Sequence, residues 1–377
     1  MIDRVHAAAP TSVEQITTEW LKECLMSSGQ TGAERLIGFT AEPVGTPGMT
    51  SVVHVLSLSY EGDAGGAPTK LAAKFSLDLE PVKQALSSNR GYEREFLFYK
   101  HFGADAGIPT PLCYWASYDA TETRCGLLLE YLDGTCSSNR FIGTSSEIEP
   151  IIDRLAAFHA RWWNKADGHA GLIPAFAPYL VDLILEKLES SLRNIKAHHR
   201  ARVGDTLVEL VEFWLSHAHE ISELERAKPQ TLCHGDLHRE QILFPASPGG
   251  PLNIIDWQMA GSDSAALDLS FLLSGGLRPE DRSRNEVAFI ERYYASLTDS
   301  GVDDYSMEEL MGSYRVSIAR QAVFSMMAFA MEDLTPVFAW WDSSPDRKNF
   351  SFWDVTCGWA TMALDEHQVL NQLKQSV

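Results

Sequence analysis

Nowhere in this chain do about 18 uncharged apolar residues run together, the length a bilayer-spanning helix requires, so no membrane span is expected. The nearest approach, AVFSMMAFAMEDLTPVF, is broken by Glu332, Asp333 and Pro336 and reads as a buried helix and its end. The opening MIDRVHAAAPTS lacks an apolar core of signal-peptide length, which makes the cytoplasm the expected compartment. Cysteine is sparse and never spaced as C-x-x-C: Cys24, Cys113, Cys125, Cys136, Cys233 and Cys357 are scattered. That argues against a zinc knuckle or a disulfide framework and for reduced, buried thiols. Positive charge is also short. Thirty-one Lys and Arg face 51 Asp and Glu, a net charge of -20 that opposes a phosphate backbone, so no nucleic-acid partner is expected. There is no internal repeat and no G-x-x-x-x-G-K-[ST] phosphate loop.

What remains is an ordinary globular composition, 45% hydrophobic and 22% charged, over 377 residues, enough for two lobes each with its own core. SVEQITTEWLKECLMSS has helical spacing over residues 12–28, with Ser12 as a candidate cap. Strands are expected at 51–60 and 70–77, joined by the turn-forming EGDAGGAPT, then a helix over 89–103 and strands at 112–118 and 125–132. After Asp133-Gly134 the pattern turns helical: 147–165, 178–197, 202–224, 283–299, 307–332 and 351–374. TLCHGDL and LNIIDWQ are the strand-like exceptions. A small β-rich lobe over 1–132, followed by a large helical lobe over 133–377, is an α+β design.

The chemistry concentrates in HGDLHREQILFP and the later LNIIDWQ. Phosphoryl transfer needs an aspartate to orient the attacking hydroxyl and accept its proton, and oxygen ligands to hold Mg²⁺ on the β- and γ-phosphates of ATP. Protein kinases space these as Asp, four residues, then a metal-binding Asn, with a second Asp on a later strand. The same spacing here gives Asp236 as the catalytic residue and Gln241 and Asp256 as metal ligands. Asp256 ends the apolar run LNII, and PASPGGP is a suitable hairpin connector.

The segment HGDLH…Q…IDWQ resembles the aminoglycoside phosphotransferase and choline kinase superfamily, whose two-lobed fold is that of protein kinases; the resemblance runs in order over the whole chain. Gln241 departs from the usual Asn, but its carbonyl is an equally hard oxygen donor one methylene further out. It is also similar to the maltokinase-like branch.

Gly45 and Gly48 lie in a turn between two expected strands, where a backbone can approach phosphates closely; taken alone they would be an ordinary hairpin turn. Lys74 is the single charge within LAAKF, either an edge-strand lysine or, given Asp236 and Asp256, the cation on the α- and β-phosphates. Glu95 is its expected partner, because EFLFY is similar to the E-x-x-[FY]-Y helix of ecdysteroid-kinase-like proteins; Glu93 is the alternative. The resemblance further implies that the backbone of Glu130 and Leu132 meets the adenine edge. It also implies that Asp268 ties the metal-binding segment to the catalytic loop, unless it is simply a carboxylate at a positive helix start. His234 is expected to brace the loop, and H-x-D-x-H leaves a transition-metal reading open.

The acceptor is expected to be a small-molecule hydroxyl. Aromatic residues such as Trp340, Trp341 and Trp353 suit an apolar or cationic alcohol, though most belong to a helical core. LLSGGLRPEDR is closest to the ecdysteroid-kinase-like branch, which implies a lipophilic or amphipathic alcohol rather than an aminoglycoside, choline or a sugar. A nucleotide-binding pseudoenzyme and a metal-dependent phosphoester hydrolase are the competing classes.

Overall fold

The computed structural model of the chain describes residues 9–44, 50–132, 135–136, 142–166, 171–174, 177–245, 252–343 and 349–377. It packs as two compact units: Met1–Cys136 with Phe244–Gln258, and Ser137–Leu243 with Met259–Val377. The first unit therefore runs past the division expected after residue 132, to Cys136, and also takes in Phe244–Gln258. The cause is local bonding: Thr135 and Cys136 pair with Pro245 and Phe244, Ile254 N–H donates to the Pro109 carbonyl (2.8 Å), and Trp257 stacks on Phe98 with ring centroids 3.6 Å apart.

The first unit is built on five strands: β1 Leu36–Pro43, β2 Ser51–Tyr60, β3 Lys70–Ser76, β4 Cys113–Asp119 and β5 Arg124–Glu130. They form one sheet in the order β1-β2-β3-β5-β4, antiparallel at every pair. Helix α1, Thr18–Ser27, covers one face, burying Trp20, Leu21, Cys24 and Leu25 against Leu56, Leu71, Phe75, Trp115 and Leu128. Trp20 meets Trp115 edge to face at 5.0 Å. The helix begins later than expected. Its cap is Thr17, whose side chain accepts the Trp20 N–H (3.1 Å), while Ser12 precedes a separate 3₁₀ turn, Val13–Gln15. Helix α2, Glu80–Asn89, was not foreseen; α3, Gly91–His101, follows after Arg90. Buried positions on α3 recur as Gly91/Tyr92, Arg94/Glu95 and Phe98/Tyr99, the period of a helix with one inward face.

The second unit is helical: α4 Ser145–Trp162, α5 Pro178–Asn194, α6 Arg200–Val203, α7 Asp205–Arg226, α8 Ala266–Leu273, α9 Pro279–Asp299, α10 Met307–Met326, α11 Thr335–Ser343, α12 Ala360–Glu366 and α13 Val369–Ser376. Helix α4 buries Ile148, Ile151, Ile152, Leu155, Phe158 and His159 on one side. The expected long helix over 351–374 is interrupted by a π turn, Asp354–Trp359, and by Gln368 in a left-handed conformation. Of TLCHGDL only Thr231–Cys233 is strand, and it pairs with Gly261–Asp263. Among the described residues no helix is long and apolar enough to cross a membrane.

Candidate active site

Lys74 sits in β3 with β2 and β5 hydrogen-bonded on either side, so it is not on a sheet edge. Its Nζ lies 2.7 and 2.9 Å from the two Glu95 oxygens and 2.8 Å from Asp256 Oδ1. Glu93 is turned elsewhere and pairs with Arg90 (Nε to Oε2, 2.8 Å). Burial works against the Lys74 charge, but the Asp256 and Glu95 carboxylates outweigh it and raise the lysine above its ordinary value. Glu95 is also pushed up, first by burial and then by the Asp256 charge, against the pull of Lys74. One ammonium is thus shared between two carboxylates.

Asp256 departs from ordinary backbone. Its φ of 65° is left-handed, a conformation that costs an L residue energy and that Asp tolerates better than most. Strain of this kind persists where surrounding contacts enforce it, and here the Lys74 ion pair and the buried Trp257 stack flank the residue. Its side chain stays about one third exposed.

Gly45 and Gly48 lie outside the described residues, but Thr50, which follows them, is held closely. Its carbonyl accepts from Tyr92 Oη and from Leu77 N–H, and its hydroxyl donates to Gln258 Oε1 (3.0 Å). Tyr92 and Glu95 are three residues apart on the inner face of α3, so one helix holds both Lys74 and Thr50. At the end of β5, Glu130 N–H is already donated to Leu112 O (2.7 Å), and its carboxylate accepts Leu112 N–H (3.2 Å). Glu130 and Tyr131 border a hollow of about 300 Å³ also lined by Thr69, Lys70 and Tyr114.

In the second unit, HGDLHREQ follows the Thr231–Cys233 strand. Gly235 has φ 83°, and a Cβ there would stand 2.3 Å from the Met259 carbonyl oxygen, so only glycine fits. Asp268, on α8 and fully buried, accepts the backbone N–H groups of His234 (2.7 Å) and Gly235 (2.8 Å). His159 Nε2 lies 3.2 Å from the same carboxylate, and Tyr293 Oη is 2.6 Å from His159 Nδ1. Burial pushes the Asp268 carboxyl up, but the His159 bond, the His159 and His234 charges and the His234 amide outweigh it, and the net direction is down.

Asp236 follows that pinned pair. Its N–H donates to His234 Nδ1 (3.3 Å), and His238 Nε2 stands 3.6 Å from its Oδ2. His238 Nδ1 accepts the Glu240 N–H (3.3 Å), and its Nε2 stands 3.3 Å from the Gln241 amide nitrogen. Gln241 closes a 3₁₀ turn, Arg239–Gln241, with its N–H on the His238 carbonyl (3.0 Å). Among the described residues, one buried trio has the spacing of a metal site: His159, Cys233 and Asp268. Its atoms are already engaged, since both His159 nitrogens and both Asp268 oxygens have partners and Cys233 Sγ points at the carbonyls of Asp263 and Ser264. It reads as a structural network.

Residues 49–338 match the model of the DUF1679 family, described as "Uncharacterized oxidoreductase dhs-27". The chain belongs to this family. It is 24% identical over 233 residues to the uncharacterized kinase-like protein D1044.1 of Caenorhabditis elegans, a match that spans 59% of this chain and 61% of that relative. Among solved structures it is similar to a choline kinase from Cryptosporidium parvum (12% identity, TM-score 0.53, 96% of this chain and 99% of that one). It is also similar to a putative aminoglycoside phosphotransferase from Ralstonia eutropha (14%, 0.51, 93% and 98%) and to a Plasmodium vivax ethanolamine kinase (13%, 0.51, 95% and 89%). The fold of this DUF1679 member is therefore the kinase-like α+β fold of those choline kinase and aminoglycoside phosphotransferase structures, and the family model and the nematode relative fit the ecdysteroid-kinase-like branch.

Several residues at these sites were not singled out from the sequence: His159, Tyr293, Tyr92, Thr50, Gln258, Arg239 and Glu147. Tyr92 carried a usable signal, lying one helical turn before Glu95. His159 and Tyr293 are 134 positions apart and meet only through packing.

Proposed function

We propose that this protein is an ATP- and Mg²⁺-dependent O-phosphotransferase acting on a hydroxyl of a small, lipophilic or amphipathic alcohol. The observation that carries the reading is the Lys74 ammonium held jointly by Glu95 and Asp256. A lysine buried in a central strand is costly unless paired, and its two carboxylates here present a fixed cation beside the partly exposed Asp256. Lys74 orients the α- and β-phosphates, and Glu95 keeps the lysine in place. Asp236 orients the acceptor hydroxyl and takes its proton as the bond to the γ-phosphorus forms. The backbone of Glu130 and Leu132 would meet the adenine edge, with the Glu130 amide already donated to Leu112.

The donor set suits magnesium. Asp256 offers a partly exposed carboxylate oxygen and Gln241 a carboxamide oxygen, both hard ligands, and neither residue calls for a softer ion. Held by Asp256 and Gln241, Mg²⁺ would supply positive charge against the charge built up in the transition state. The family description names an oxidoreductase, but a nicotinamide dinucleotide is typically held by a parallel, doubly wound sheet. The sheet here is antiparallel at every pair.

The test is an ADP-release screen across sterols, terpenoid alcohols, choline-like amino alcohols, sugars and aminoglycosides, with products identified by mass. The expected result is acceptor-dependent ADP release, a product heavier by one phosphoryl group, and loss of both in Asp236→Asn with nucleotide binding retained. Turnover retained by Asp236→Asn would remove that residue from the base role. Absence of ADP release with every acceptor would overturn the kinase reading.

A further inference from the structure

The segment from His234 to Ile242 is pinned at both ends, and the second pin has no counterpart in the reading above. The first is Asp268, which holds the amides of His234 and Gly235 just before Asp236. The second is Arg239, only 2% exposed. Its Nη1 donates to the Ile242 carbonyl (3.0 Å), and its Nη2 and Nε reach Glu147 Oε1 (3.1 and 3.3 Å). The other Glu147 oxygen accepts the Thr144 N–H (2.9 Å) and hydroxyl (3.0 Å), closing the capping box of α4. Just upstream, Gly143 N–H donates to the Gly276 carbonyl (2.7 Å), beyond the end of α8. The guanidinium thus spans the turn that carries Gln241 and fastens it to the first turn of α4.

A surface arginine would not need this arrangement. Burying a guanidinium requires a paired carboxylate and satisfied donors, and both are supplied here around a single three-residue turn. That turn presents a carboxamide one methylene longer than asparagine, with one more rotatable bond, so its backbone must be fixed more firmly to place the oxygen. Resting on the phosphotransferase reading, we infer that Arg239 and Glu147 are positioning residues for the Gln241 oxygen, setting the affinity of the site for its divalent cation. They act through the backbone and touch neither nucleotide nor acceptor.

The test uses the full chain with Mn²⁺ as probe and a nonhydrolysable ATP analogue, reading free Mn²⁺ by electron paramagnetic resonance. Gln241→Ala sets the effect of losing the ligand. Arg239→Met is expected to weaken Mn²⁺ binding about tenfold, the lower end of what outer partners of a metal ligand contribute. Glu147→Gln weakens it less, and Arg239→Lys, which keeps the charge, recovers part of the loss. Nucleotide affinity measured without divalent ion stays at the wild-type value, a split that a general structural defect would not produce. Circular dichroism melting shows which variants are folded; if Arg239→Met is not, Glu147→Gln and Arg239→Lys decide. Folded variants binding Mn²⁺ as the wild type does would overturn the inference, as would an unchanged Gln241→Ala. A wild-type chain that binds no Mn²⁺ with nucleotide and releases no ADP would instead remove the phosphotransferase reading on which the inference rests.

Discussion

At the scale of single residues, the chain spends its buried charges on orientation. Asp268 is the clearest case, a fully buried carboxylate whose oxygens take two loop amides and a histidine. Replacing it with Asn leaves one acceptor oxygen for those donors, and an unsatisfied buried N–H costs about 1–3 kcal/mol. Asp268→Asn is therefore expected to lose that much stability at pH 7, measured by urea unfolding. The pH dependence follows from the direction of the shift. A carboxyl held below its unfolded value of about 3.9 contributes stability that is present above roughly pH 4 and lost as pH falls through the lower folded value. The variant has no such group, so its stability should fall less steeply on the acid side. Equal acid slopes in the two proteins would show that Asp268 titrates normally. Residue by residue, the spacing from Asp236 to Gln241 and the isolated Lys74 were legible in the sequence, since each is a local pattern. The His159–Asp268–Tyr293 network was not, because its members come from three helices.

At the scale of elements, α3 does the most to assemble the polar cluster of the first unit. Its inner face carries Tyr92 to the Thr50 carbonyl, Glu95 to Lys74 and Phe98 to Trp257, one contact per turn. Glu93 points off that face, and its ion pair with Arg90 is partly exposed and worth about 1 kcal/mol at most. The two glutamates should therefore separate in assay. Glu95→Gln is expected to lower nucleotide turnover by on the order of 100-fold, as for other groups that organise transition-state charge, with Glu93→Gln within about twofold of wild type. Comparable losses in both would mean that α3 as a whole, rather than the Lys74 pair, sets the rate. Helical spacing showed α3 from sequence alone, but the starts of α1 and α4 depended on caps, Thr17 and Thr144, that compete with other nearby hydroxyls.

At the scale of the molecule, the net charge of -20 makes a long-range field that repels an anionic nucleotide. Added salt screens that field, the Debye length shrinking to about 10 Å at 0.1 M. Raising ionic strength from about 0.01 M toward that value should speed nucleotide association in stopped-flow measurements, the reverse of the trend for a basic protein. A rate that falls with salt would mean that Lys74 and its neighbours dominate the encounter instead.

Sequence by itself determined the α+β class, a strand-rich first part followed by helices, and the spacing of Asp236, Gln241 and Asp256, because periodicity and spacing are local properties of a chain. The tertiary structure decided which residues share a unit, sending Phe244–Gln258 back to the strands of the first unit. It also buried Arg239 against Glu147, 92 positions away, and joined His159 to Tyr293. These are contacts between distant segments, fixed by which buried charges can be paired, and no local pattern encodes them.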